Sequence, residues 1–308
     1  MNPILNYDEC YALDISSKAS LLAASGNDKK LKLINTNSNQ ELKQLNIGSK
    51  GRVLNFSPCG KMIISGYMTL VLWDLNSFKR LFSLKGHKHM VNGVQFSPDS
   101  KMIASVSGAS YTPHDYTLRV WNSNDGKLIH KLKFDRPLTG IFWTKEKNIL
   151  ISSENSVIKV DLTNLKTEII YEGLPYFNFG FCYEKNQILI SDPQGFKSGV
   201  KGVNVISLEG TLLHRLTPDI KQDVTKSVFN VLVKGIDGGY IAGFGIEDYI
   251  PSPTNKYFIV VKWDSNGKEV NRIEEFSDSL LQAFTFNQET EILYTCDSKG
   301  LIKKWGFE

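Results

Sequence analysis

At 308 residues, with 41% hydrophobic and 22% charged side chains, the chain has enough apolar material for one large domain or two medium ones. Its composition excludes disorder and collagen-like repetition. The net charge of +4 comes almost entirely from dispersed lysines, with only six arginines; this reads as solubility and argues against sequence-specific nucleic-acid binding, which favours arginine.

The first nine residues, Met1 to Glu9, have neither a basic head nor an apolar core, so no secretory leader is expected. No apolar run approaches the roughly 18 residues of a membrane helix, so no membrane insertion is expected. Cys10, Cys59, Cys182 and Cys296 include no CxxC pair. They are expected to be reduced, mostly buried thiols of a cytoplasmic protein, with a disulfide between two of them as the alternative.

Self-similarity appears from the second unit onward. Gly51 to Ser65 and Asn92 to Ser105 each read as an alternating strand, a Phe-Ser-Pro turn (Phe56-Ser57-Pro58 and Phe96-Ser97-Pro98) and a second apolar strand. Proline pre-sets the backbone for a type I turn, and Gly60 suits its fourth position. A third strand follows in each, Leu70 to Asp74 and Leu118 to Asn122, then a polar turn and a fourth, Arg80 to Leu84 and Leu128 to Leu132. Weaker copies of the third strand occur at Leu31 to Asn35, Val157 to Asp161, Val203 to Ser207, Val260 to Asp264 and Leu301 to Trp305. Asn124-Asp125-Gly126 and Ser265-Asn266-Gly267 supply hairpin turns. No stretch keeps a helical period.

Trp73-Asp74 and Trp263-Asp264 at the ends of third strands, with Gly86-His87 opening a repeat, resemble the WD-repeat β-propeller family over essentially the whole chain. The resemblance implies an all-β, seven-bladed propeller of four-stranded antiparallel blades, occupying residues 1–308 as a single domain. Seven first-strand positions align: Tyr11, Gly51, Asn92, Thr139, Asn178, Phe229 and Gln282, spaced 39 to 53 residues apart. The seventh copy ends at its third strand, so Pro3 to Tyr7 is expected to supply the missing one and close the ring. The family's internal hydrogen-bond network falls, by resemblance, on His87, Ser105, Asp115 and Trp121. Asp28 takes the Asp position in the first repeat, and Lys299 replaces it in the seventh.

Binding is the function this arrangement implies. The separation between second and third strands is 12, 11 and 17 residues in repeats three, five and six, against 4 to 6 elsewhere. In a propeller these loops share one face, the top. Tyr111, Phe196 and Tyr249 sit in the three insertions, and aromatics of this kind anchor interfaces; surface drift with aromatics folded back is the plain alternative. Candidate partner-contact residues are therefore Tyr11, Asn92, Tyr111, His114, Arg136, Thr139, Asn178, Phe196, Phe229, Tyr249 and Gln282. The expected partner is another protein or peptide, with the chain as a subunit of a complex and no enzymatic activity. A reader of phosphorylated or other anionic peptides and a propeller enzyme with a top-face site are the alternatives. His87-Lys88-His89 with His114 and Asp115 can be drawn as a metal site, but His87 is claimed by the network and the spacing is weak for zinc. No phosphate loop, nucleophile elbow or HExxH motif is present, so no cofactor is expected.

Overall fold

The computed structural model describes residues 3–7, 9–108, 115–173, 179–191, 202–218, 226–248, 255–276 and 279–307; at 226–231, 247–248 and 255 the description is limited to the backbone. The described residues form 28 strands in seven four-stranded antiparallel sheets. A short leading strand, β1 (Leu5–Asn6), precedes blade one, which comprises β2 (Cys10–Ser16), β3 (Leu21–Gly26), β4 (Lys30–Asn35) and β5 (Glu41–Asn46). Blade two holds β6 (Val53–Phe56), β7 (Met62–Gly66), β8 (Leu70–Asp74) and β9 (Arg80–Leu84). Blade three holds β10 (Val91–Phe96), β11 (Met102–Ser107), β12 (Thr117–Asn122) and β13 (Leu128–Lys133). Blade four runs through β14 (Leu138–Trp143), β15 (Ile149–Ser153), β16 (Ser156–Val160) and β17 (Thr167–Glu172). Blade five has β18 (Phe179–Cys182), β19 (Gln187–Ser191), β20 (Val203–Ile206) and β21 (Leu212–Leu216). Blade six has β22 (Lys226–Ile236), β23 (Gly239–Asp248), β24 (Asn255–Asp264) and β25 (Glu269–Glu275). Blade seven is β26 (Leu281–Asn287), β27 (Ile292–Asp297), β28 (Leu301–Gly306) and β1.

The burial of each strand follows its place in the blade. Every residue of β3 and β15 is buried, because a second strand is covered on both faces by neighbouring blades. The fourth strand β5, at the outer edge, buries only Leu45. The apolar core accordingly divides into seven clusters among the described residues, one at each junction between consecutive blades. The first strands β2, β6, β10, β14, β18, β22 and β26 pack one against the next and close the circle from β26 back to β2. No blade can bury its faces alone, so the ring stabilises itself through its junctions.

The Phe-Ser-Pro turns behave as their sequence requires. Ser57 Oγ accepts from Met62 N at 2.9 Å and Ser97 Oγ from Met102 N at 2.9 Å, while Gly60 takes a φ of 72°. In blade three Ser100 takes that left-handed place, at φ 61°.

Closure follows the expected route. β1 pairs antiparallel with β28, Leu5 opposite Ile302 and Asn6 opposite Leu301. Hydrogen bonds from Ile4 N to Ile302 O and from Tyr7 N to Gly300 O, both 2.8 Å, extend the contact to either side. Tyr7 is 1% exposed; its hydroxyl donates to Asp28 Oδ1 at 2.7 Å in blade one. The segment thus completes blade seven and fastens it to blade one.

Blade six departs from the expected loop length. Most of its 17-residue insertion is strand rather than loop: the β23–β24 ladder continues to Glu247 opposite Lys256 and Asp248 opposite Asn255. The apolar content of Tyr257, Phe258, Ile259, Val260 and Val261, all buried, favours a long hairpin over a flexible excursion.

Candidate functional site

In four blades the inner strand is broken by a bulge at one position. The β2–β3, β10–β11, β14–β15 and β26–β27 ladders each shift register at a single extra residue, and these are Tyr11, Asn92, Thr139 and Gln282. A bulge re-aims the side chain it carries. By the antiparallel meander of each blade, this end of the inner strand shares a face with the loops between second and third strands.

Tyr11, Asn92 and Gln282 line a central channel of about 620 Å³, to which all seven inner strands contribute. Thr139 and Arg136 are exposed and lie outside that lining. Asn92 is committed to holding blades three and four together: its Nδ2 donates to Gly108 O at 2.6 Å and Leu138 O at 2.8 Å. Thr139 Oγ1 is 2.9 Å from Ser152 Oγ, Tyr11 OH donates to Glu9 at 2.6 Å, and Arg136 donates to Asn155 Oδ1 at 2.9 Å. In blade six the register shift falls on residues 230–231, while Phe229 stays in the ladder opposite Gly245. In blade two the ladder aligns Arg52, not Gly51, with Asn92, since Val53 pairs with Gly66 as Gly93 does with Val106. Arg52 is exposed at the rim, and Gly51 is buried against Ser25, whose Oγ donates to its carbonyl at 3.1 Å. Tyr111, His114, Asn178, Phe196 and Tyr249 lie outside the described residues.

Deeper in the channel a polar layer comes into view that the sequence reading missed. Asp14, Asn55, Gln95, Phe142, Lys234 and Thr285 occupy equivalent ladder positions in blades one, two, three, four, six and seven. Asp14 Oδ2 accepts from Phe56 N at 2.8 Å and from Asn55 Nδ2 at 3.1 Å, and Asn55 Oδ1 accepts from Phe96 N at 2.9 Å. Each side chain thus reaches the next blade. Lys234 Nζ donates to Thr285 Oγ1 across the junction of blades six and seven at 3.2 Å. Burial pushes the Asp14 carboxyl up, against the pull of Lys234 and of the hydrogen bonds it accepts. Burial likewise pulls the Lys234 ammonium down, against the charge of Asp14. On the far side Phe142 meets Phe179 edge-on with centroids 5.0 Å apart, so the channel is polar on one side and aromatic on the other.

Blade three contains a hydrogen-bonded chain of four. Trp121 Nε1 donates to Ser105 Oγ at 3.0 Å, leaving the hydroxyl proton for His87 Nε2 at 2.8 Å. That assigns the imidazole proton to Nδ1, 3.0 Å from Asp115 Oδ2. Asp115 also accepts from Lys88 N at 2.7 Å and Thr117 Oγ1 at 2.9 Å. Burial works to raise the Asp115 carboxyl, but the donors around it win and hold it well below the usual carboxylate range. Burial holds the His87 imidazole below its ordinary value despite Asp115. Serine, histidine and aspartate in this order resemble a nucleophilic triad, yet Ser105 is 0% exposed and its lone pair is taken by Trp121. No substrate atom can reach it, so the chain braces the blade. Gly86 is needed beside it: it sits at φ 147°, and a Cβ there would lie 2.2 Å from the Arg119 guanidinium.

Other blades solve the same problem differently. In blade seven Trp305 Nε1 donates to Thr295 Oγ1 at 2.8 Å and Ser279 Oγ to Asp297 Oδ2 at 2.8 Å. Asp297, two residues before Lys299, thus carries the acidic role. In blade two Ser65 Oγ and Trp73 Nε1 are buried with no hydrogen-bond partner. Among the described residues no group of three His, Cys, Asp or Glu side chains is placed to hold a metal ion.

Seven four-stranded blades around a channel, closed by the N-terminal strand, define a β-propeller. A family model described as the WD domain, G-beta repeat, matches residues 78–122. The chain is 32% identical over 122 residues to the small ribosomal subunit protein RACK1 of Caenorhabditis elegans, covering 38% of this chain and 35% of that protein. It is 30% identical over 149 residues to an uncharacterized WD repeat-containing protein of Synechocystis, covering 46% of this chain and 40% of that one. It is 31% identical over 78 residues to eukaryotic translation initiation factor 3 subunit I of Bombyx mori, covering 25% and 22%. The matches therefore span less than half of each relative. This seven-bladed fold, with a WD repeat matched at residues 78–122, has the architecture of the WD-repeat β-propeller family.

Proposed function

We propose that this propeller is a non-catalytic adaptor, one domain over residues 1–308, that binds a protein or peptide partner through its top face as a subunit of a larger assembly. The observation that carries the reading is the coincidence of two features on one face. The bulges at Tyr11, Asn92, Thr139 and Gln282 fall at the end of the inner strand nearest the turn from second to third strand, and the widest sequence gaps between second and third strands fall in blades three, five and six. Rigid blades holding a ring of loops bind by geometry, without chemistry of their own. Two of the relatives carry names that tie them to the ribosome or to translation initiation; this supports a multi-protein assembly in the cytoplasm as the setting.

An enzyme is the second reading, favoured by the two shifted groups Asp14 and Lys234 in one channel. The adaptor reading is preferred because both groups are engaged in hydrogen bonds to neighbouring blades. Affinity capture with the intact protein tests it, comparing wild type with a triple variant, Tyr111→Ala, Phe196→Ala and Tyr249→Ala. At least a tenfold loss of a defined partner, with unchanged thermal stability, is expected. Undiminished capture moves the site off these loops.

A further inference from the structure

The seam that closes the ring holds two of the four cysteines, drawn from opposite ends of the chain. Cys10 opens β2 in blade one, and Cys296 lies in β27 of blade seven. β2 packs on β26, whose Ala283 is the ladder partner of Cys296. Both thiols are at most 1% exposed and share one apolar cluster with Tyr7, Leu22, Tyr294 and Ile302. Both lie within that one cluster at the junction of blades seven and one, and both are free thiols. The strand beside them, β1, is held by a ladder of two residue pairs and two flanking hydrogen bonds.

We propose that Cys10 and Cys296 are an oxidation site, at which a disulfide converts the noncovalent closure of the ring into a covalent one. With hydrogen peroxide as oxidant, one thiolate attacks a peroxide oxygen and becomes a sulfenic acid as the O–O bond breaks and water leaves. The second thiol then attacks that sulfur and displaces a second water. Two thiols lose two protons and two electrons, and one peroxide becomes two waters. The reaction is gated by the seam. In the closed ring the neighbouring Cys10 sulfur and burial push the Cys296 thiol up, keeping it protonated and inert. Lifting β1 admits solvent and oxidant to the pair. The loop so closed takes in nearly the whole chain, which gives the bond a large hold on the unfolded state.

The test treats the intact protein with hydrogen peroxide and maps the products by peptide mass. A single Cys10–Cys296 linkage is expected, about 2 Da lighter than the reduced protein, with Tm raised by several degrees and restored by dithiothreitol. Removing residues 1–8 should speed the linkage at least tenfold, and Cys10→Ser should abolish it while the folded state persists by circular dichroism. Linkage through Cys59 or Cys182, over-oxidation without a cross-link, a rate indifferent to residues 1–8, or a cross-link that leaves Tm unchanged would each overturn the proposal.

Discussion

Replacing Ser105 by alanine removes one hydroxyl that serves two buried partners. The Trp121 indole N–H loses its acceptor, and the His87 Nε2 lone pair loses its donor. Each orphaned group costs about 1–3 kcal/mol, so the variant should lose about 2–6 kcal/mol. Blade two supplies the control. Ser65 occupies the equivalent position, 0% exposed, but neither its hydroxyl nor Trp73 Nε1 has a partner. Ser65→Ala breaks no hydrogen bond and removes a desolvated hydroxyl, so it should be neutral or stabilising by about 1 kcal/mol. Urea denaturation of the two variants beside wild type reads the difference directly, provided the m-values agree. Equal losses at the two sites would refute the argument, because the same substitution would then cost the same with and without the network.

Acidification should destabilise the protein in two stages. The folded state holds His87 neutral below its ordinary 6.5, so an unfolded chain takes up a proton that the fold refuses, and stability falls as the pH drops below that value. Asp115, held below its ordinary 3.8, adds a further loss as the pH falls past it. Tm measured between about pH 5 and pH 8 should decline on the acid side in wild type and less steeply in His87→Gln; parallel slopes would exclude His87 as the source. In the channel, Asp14→Asn should destabilise the protein by removing the negative charge that favours the Lys234 ammonium, and adding Lys234→Met should recover part of the loss. A double-mutant cycle that returned no coupling would show the two charges to be independent.

The repeats were legible where the chain spells them out. The Phe-Ser-Pro turns and Trp-ended third strands of blades two and three fix strand boundaries by turn chemistry, and the remaining blades follow by spacing. Closure was legible from an incomplete seventh copy. Three features were not. The insertion of blade six looks like a loop by length, but its β-branched and aromatic residues pair into a longer hairpin. Arg52 was hidden by a one-residue slip, because a bulge adds a residue that sequence alignment cannot distinguish from the strand around it. The layer joining Asp14 to Lys234 was invisible because each is an isolated charge on an inner strand, far apart in sequence, and only the circle brings them together. Tyr7 shows the same limit: its strand was foreseen, its hydrogen bond to Asp28 was not.

The ring is sealed by its own first strand, and thermal unfolding of the chain lacking residues 1–8 tests this most directly. Deletion strips the buried Tyr7 from the junction of blades seven and one and leaves β28 as an open edge. Losing an aromatic of this kind costs about 3–5 kcal/mol, which for a chain of this size corresponds to a fall in Tm of about 5–8 °C. Hydrogen exchange should rise first in β28 and spread through blade seven. An unchanged Tm, with β28 still protected, would contradict closure by the N-terminal strand.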